Sequence, residues 1–270
     1  MTVALLTFSP GQASAQAANR ALDWELIVCA DPSASPFSNR DQGGFENRIA
    51  HILADEMGAT LVFYWIPQVR TLMTDALREG RCDMIVGLAD GVGGALTTIA
   101  YYRSPYVFVY RAEEDYEVAT FDDAILRGLR IGVHPIESPA HEALLRRGLR
   151  DNIIMETQVF QGGPGDPQET MIAAVADREI DVLVTWGPAA GYYADLQPVS
   201  LTVMATPPFE PPIIQMFINM VAGVRLGDDA LRDRLDIAMV SRWTEIQSVL
   251  DDANIPRLPL APPVLTIEVP

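Results

Sequence analysis

The chain has 270 residues, 36 of them acidic against 19 basic, for a formal net charge of −17, and 49% of it is hydrophobic. That balance repels phosphate backbones and anionic membrane surfaces, which argues against nucleic acid as a partner, while length and composition fit a folded globule with room for two modest α/β domains. Apart from the histidines, every basic side chain is arginine, so Schiff-base chemistry and a lysine-bearing phosphate loop are both excluded.

Residues 1–19, MTVALLTFSPGQASAQAAN, form a short apolar run followed by small residues with A-x-A character. The pattern predicts an export signal over 1–20, although the positive n-region is missing; a terminus without fixed structure is the alternative. No other stretch reaches the eighteen or so apolar residues of a membrane span.

Residues 24–30 are apolar, rich in β-formers and stopped by Asp31-Pro32, which predicts a buried parallel strand. After Gly43-Gly44, the residues Phe45, Ile49, Ile52, Leu53 and Met57 share one helical stripe ending at Gly58. The loop 31–42 therefore sits at the carboxyl end of a strand, where open α/β sheets place their ligands. A strand at 60–66, a helix at 69–79 and a strand at 83–87 complete a βαβαβ unit with strand 24–30 in the middle. Its rim presents Asp31, Pro67 and the run 87–90. Cys29 falls near the end of one strand and Cys82 at the start of another. With matched strand ends, about four residues of stagger separates them beyond disulfide reach, so the spacing reads as two buried thiols, with a bridge as the alternative.

A glycine-rich link at 91–94 leads to YYRSPYVFVY at 101–110, a strand followed by the acidic run 113–115, and then the pattern repeats. Strands at 130–133, 153–160 and 181–186 alternate with helices beginning at Ser138-Pro139 and spanning 167–179. LREGRCDMIV at 77–86 and ADREIDVLV at 176–184 share a helix end, a tight turn, an aspartate and a buried strand, which predicts two similar lobes rather than one large sheet. Asp83 and Asp181 read as turn formers. After the proline cluster 207–212, a strand at 216–224 precedes two helices, the first burying Leu231, Leu235 and either Ile237 or Ala238. Leaving one lobe near Tyr110 and returning near Ile213 makes a hinge. The expected division is lobe one at 21–110 and 214–254, lobe two at 111–213, and an extended proline-rich tail at 255–270.

Two hinged lobes of this length, with YYRSPYVFVY where the superfamily carries its F-S-x-P-Y crossing motif, resemble the type 2 bilobed periplasmic solute-binding proteins over residues 24–256. More closely, VCADPSASPFSN, GGFENRIA, GRCDMIVGL and TTIAYYRSPYVFVYR in that order resemble the MxaJ/XoxJ-type members associated with quinoprotein dehydrogenases. The resemblance implies a periplasmic, non-catalytic accessory that contacts a PQQ-dependent methanol or alcohol dehydrogenase and assists its maturation or activation. No cofactor is expected on this chain, since PQQ would belong to the partner. Amino-acid receptors of the superfamily hold the ligand carboxylate with an arginine nine residues before the crossing proline; here that position is Leu96, which has no guanidinium fork. A transport receptor for a small polar solute and a periplasmic dehydratase on the same fold are the second and third readings.

The cleft candidates are Asp31, Phe37, Asn39, Trp65, Asp90, Tyr102, Arg103, His134, Ser138, Trp186 and Pro188, at strand ends, helix starts and the crossing. Ser138 reads first as a helix cap and second as part of an anion site. Trp65 and Trp186 are aromatic walls or core, and Arg103 faces either the cleft or the surface. His134 and His141 are seven residues apart, not the i, i+4 pair of a zinc helix, so no metal is expected. His51 reads as a solvated helix position. Gly162-Gly163-Pro164-Gly165 lacks the strand–glycine–helix order of a phosphate loop, and no catalytic residue is expected.

Overall fold

The computed structural model describes residues 24–67, 71–157 and 166–264. The expected export signal at 1–20 and the turn at 162–165 lie outside the described residues. The amino-terminal half runs through β1 (Glu25–Ala30), β2 (Ser33–Ala34), β3 (Ser38–Asn39), α1 (Phe45–Met57), β4 (Thr60–Trp65), α2 (Leu72–Arg78), β5 (Met84–Ala89), β6 (Leu96–Thr97) and β7 (Tyr102–Arg111). There follow β8 (Ile131–Val133), α3 (Pro139–Arg146), β9 (Ile153–Glu156), α4 (Pro167–Ala176), β10 (Val182–Trp186), α5 (Gly187–Asp195), β11 (Leu201–Ala205), β12 (Phe209–Glu210), β13 (Ile214–Gln215), β14 (Phe217–Val224), α6 (Asp229–Ser241) and α7 (Trp243–Asp252).

The first lobe is the parallel set β4-β1-β5 with β1 central, and the second repeats it as β9-β8-β10 with β8 central. Each lobe takes an antiparallel neighbour from a crossing segment: β14 lies beside β5, and β7 lies beside β10. The chain changes lobes within β7 itself, because Tyr102 to Pro105 pair with β14 whereas Tyr106 to Tyr110 pair with β10. The partner change thus falls between Pro105 and Tyr106, inside the stretch expected to belong to lobe one, and the sheets share one hydrogen-bonded path through this strand.

The recurring aspartates do the same work in each half. The Ile27 N–H donates to Asp83 Oδ2 at 2.9 Å while the Asp83 N–H donates to the Ile27 carbonyl at 2.7 Å; Arg130 and Asp181 form the matching pair at 2.8 Å both ways. Each clamp fixes the register at the start of a parallel pair, where no tight hairpin is available to do so.

Lobe one is a sandwich. Helices α1, α6 and α7 cover one face through Ile49, Leu53, Leu235, Ile246 and Leu250, and α2 covers the other through Met73, Ala76 and Leu77. Of the two candidates on α6, Ala238 is buried and Ile237 is exposed. In lobe two, α3 covers one face, and α4 and α5 the other.

Cys29 and Cys82 are joined, with an S–S distance of 2.02 Å and Cα atoms 5.6 Å apart, which corrects the reading of two free thiols. That reading placed Cys82 on the strand line. In fact β5 begins only at Met84, opposite Val28, and Cys82 lies in the turn after α2, where the chain rises from the helix layer past the buried Cys29 side chain. Such a bond fits an oxidising compartment.

The carboxyl-terminal segment also departs from expectation. Residues 255–258 are not a free tail: Ile255 is buried in lobe one, Pro256 lies against Gly187 and Gly191 of α5 in lobe two, and the Leu258 N–H donates to the Arg103 carbonyl on the crossing strand. The segment straps the hinge. Gly191 makes this possible, since a Cβ there would collide with the Asn254 carbonyl oxygen. Gly191→Ala is therefore expected to wedge the lobes apart, seen as a larger radius of gyration in small-angle X-ray scattering; an unchanged radius would show that the strap does not hold the lobes together.

Candidate functional site

The polar turn after β1 is built by its own side chains. Asp31 Oδ1 accepts from the Ser33 N–H at 2.8 Å, the Ser38 hydroxyl donates to the Asp31 carbonyl at 2.8 Å, and Asn39 accepts from the Gly43 N–H at 3.0 Å while its own N–H donates to Asn47. Asp31 and Asn39 thus shape the loop. Its tip, Ser35 to Phe37, is carried across the cleft to the second lobe.

There Phe37 lies flat on Trp186, with ring centroids 5.7 Å apart and planes 7° from parallel, and against Phe45 at 5.3 Å. Phe37 packs with the cores of both lobes, and so does Trp186. Beside them the Tyr193 hydroxyl of α5 reaches the Ser35 carbonyl at 3.2 Å and the Asp166 carboxylate at 3.0 Å. Burial and then the Asp166 charge raise the Tyr193 pKa, so it stays a proton donor to this lobe-to-lobe contact. Pro188 stands in the first turn of α5, two residues after Trp186, and Tyr102 meets Phe45 edge-on at 6.2 Å. At this point between the lobes the protein's own rings stand face to face, and beside them a cavity of about 350 Å³ opens between Ser35, Asn39 and Arg48 of lobe one and Tyr192, Asp195 and Leu196 of lobe two.

The remaining candidates lie apart from this pair. Trp65 stacks on Phe63 at 5.0 Å in strand β4 with Arg40 above it. Arg103 donates through Nε to Asn219 Oδ1 at 2.9 Å and lies over the Phe217 ring at 4.5 Å, and the Asp90 N–H donates to the carbonyl of the same asparagine. His134 bonds Thr157 through Nδ1, and its burial lowers its pKa, so it is neutral at neutral pH. Ser138 accepts the His141 N–H at 3.2 Å, the capping role. His51 meets Gln42 and Phe63. Leu96 pairs with Val224 in β6 and packs on the core of lobe one. Among the described residues there is no group of three acids, histidines or cysteines placed to hold a metal.

One residue escaped the sequence reading. Glu46, in the first turn of α1, sits over Gly87, where any Cβ would strike its carboxyl group. Burial, and then the Asp31 carboxylate, push its pKa up to about 8, so it is largely protonated at neutral pH. The signal was there: Glu46 shares the i, i+3, i+4, i+7 stripe with Ile49, Ala50 and Leu53 and so had to face inward. A protonated acid suits general-acid work, but the cavity that Glu46, Asp31, Ser38 and Asn47 line holds about 10 Å³, room for roughly one water.

Comparison with known proteins fits this geometry. No family model matches the chain. It is 30% identical over 246 residues to the protein MoxJ of Paracoccus denitrificans, covering 87% of this chain and 89% of that one. The chain belongs to the MoxJ family. Among solved structures, the periplasmic binding protein XoxJ of Methylobacterium extorquens AM1 is 32% identical with a TM-score of 0.72, covering 87% of this chain and all of that one. MxaJ of Methlophaga aminisulfidivorans, at 24% identity, shares the fold with a TM-score of 0.77 over 86% of this chain and all of that one. As a MoxJ-family member the chain has the type 2 periplasmic binding-protein fold, and none of its described helices is long and apolar enough to cross a membrane.

Proposed function

We propose that this MoxJ-family chain is a non-catalytic periplasmic accessory of methanol oxidation, which contacts a PQQ-dependent alcohol dehydrogenase and assists its maturation or activation. The observation that carries the reading is the stack of Phe37 on Trp186. Aromatic rings that meet between the lobes take up part of the space a solute would use, and the position of the cationic grip on a carboxylate is held by Leu96. The names of its relatives and the disulfide, which fits an exported protein, support the same reading.

The test has two arms. Amino acids and small alcohols at millimolar concentration are expected to leave the melting temperature within about 1 °C, whereas a true ligand at a hundred times its Kd adds about 2.7 kcal/mol and several degrees. Dehydrogenase purified from cells lacking this chain is expected to have at most about a tenth of normal activity, restored when the chain is supplied. A stabilising solute together with full dehydrogenase activity in the deletion strain would make the protein a transport receptor instead.

A further inference from the structure

Between β11 and β14, where the chain returns to lobe one, TPPFEPPIIQM at 206–216 forms a hairpin in which Phe209 pairs with Gln215 and Glu210 with Ile214. While Ile214 packs on the core of lobe two, two of its apolar side chains point outward: Phe209 is 55% exposed and Ile213 84%, with Pro208, Pro211 and Pro212 exposed around them. Four prolines fix the backbone, so little conformational freedom is left to lose on binding.

The hairpin is anchored from behind. Glu210, 4% exposed, accepts from Arg147 at 2.5 Å, and Arg147 also holds Asp122 with two bonds at 2.8 and 2.9 Å and lies over Phe121. On the other side, Phe209 meets Phe217 edge-on at 5.6 Å, and Phe217 carries Arg103 on its face. A buried ion pair that holds two large apolar side chains in water makes no sense for the isolated molecule, since burying both side chains would gain several kcal/mol. Exposed, rigid and apolar at its tip, the hairpin has the form of an interface anchor.

We infer that this hairpin is the element by which the chain docks onto its dehydrogenase, inserting Phe209 and Ile213 into an apolar pocket with a basic rim. The inference rests on the accessory reading above. Charge selects this occupant: a molecule of net charge −17 repels a second copy of itself and is drawn to a cationic surface. The hairpin roots at the hinge, joined to lobe two through Arg147 and to the crossing through Phe217, so the docked partner touches the point about which the lobes move.

The test measures binding of the full chain to the dehydrogenase purified from the same bacterium, by biolayer interferometry. The double variant Phe209→Ser/Ile213→Ser is expected to dissociate at least tenfold faster while melting within about 2 °C of wild type, because neither side chain belongs to the core. Ile237→Ser, an exposed apolar residue on α6, serves as control and is expected to dissociate like wild type, and added salt is expected to slow association of all three. Wild-type dissociation by the hairpin variant overturns the inference. If Phe37→Ala alone weakens binding, docking runs through the cleft, and the hairpin falls while the accessory role stands. If the wild-type chain itself does not bind, yet restores dehydrogenase activity, docking through the hairpin is overturned; if it neither binds nor restores activity, both readings fall.

Discussion

Replacing Cys29 and Cys82 together by alanine is expected to cost about 4 kcal/mol and lower the melting temperature by roughly 10 °C. The bond closes a loop spanning 53 residues, and that loop holds α1, β4 and α2, much of lobe one. Cutting it returns to the unfolded chain the conformational freedom of that whole stretch, and it leaves two thiol-sized gaps in the layer under α2, among Met73, Ala76, Leu77 and Ile85. Calorimetry with and without reductant checks the first point, and the double variant under the same conditions checks the second. If the reduced wild type melts at the same temperature as the oxidised one, the bond contributes nothing to this lobe.

The second large effect follows from Glu46. Its pKa in the folded protein is about 8 against 4.5 in a free chain, so between those values the folded state holds a proton that the unfolded state has lost. Stability therefore falls as pH rises from about 4.5 and levels off above 8. Allowing for the part of the side chain that stays accessible, the full penalty is about 3 kcal/mol. The groups facing this carboxyl are Asp31, whose charge adds to the cost of ionising it, and the buried hydroxyls of Tyr101 and Tyr102, which stay protonated throughout this range. Glu46→Gln is expected to melt like wild type at pH 5 and several degrees higher at pH 8.5. The measurement is the difference in melting temperature between variant and wild type across that range; a constant difference would show that Glu46 does not titrate in this window.

Much of the fold is legible in the sequence because hydrophobic period and turn chemistry carry it. The paired segments 77–86 and 176–184 announce the repeat, and the structure places Asp83 and Asp181 in identical clamps. What periodicity does not carry is where one element passes another. The bond between Cys29 and Cys82 depends on the path of the connection 79–83 between α2 and β5, and the strapping role of Pro256 depends on two glycines one helical turn apart on α5, more than sixty residues earlier in the chain. At the site, strand-end logic named Phe37 and Trp186 without indicating that they would face each other across the cleft. Trp65, Asp90 and His134 satisfy the same positional rule and are occupied elsewhere, because a strand end marks a rim and not a meeting point. Glu46 was hidden by its type, since an acid in a first helical turn reads as a dipole partner in water.

The ring of Phe37 laid on Trp186 acts as a tethered ligand, present at a local concentration fixed by the segment 31–44 that joins β1 to α1 and independent of anything dissolved around the molecule. Solute-driven closure reports how much nutrient is outside; closure driven from within reports nothing of the kind. In the accessory role proposed above, a partner shifts the lobes only by gripping one arrangement of them better than another.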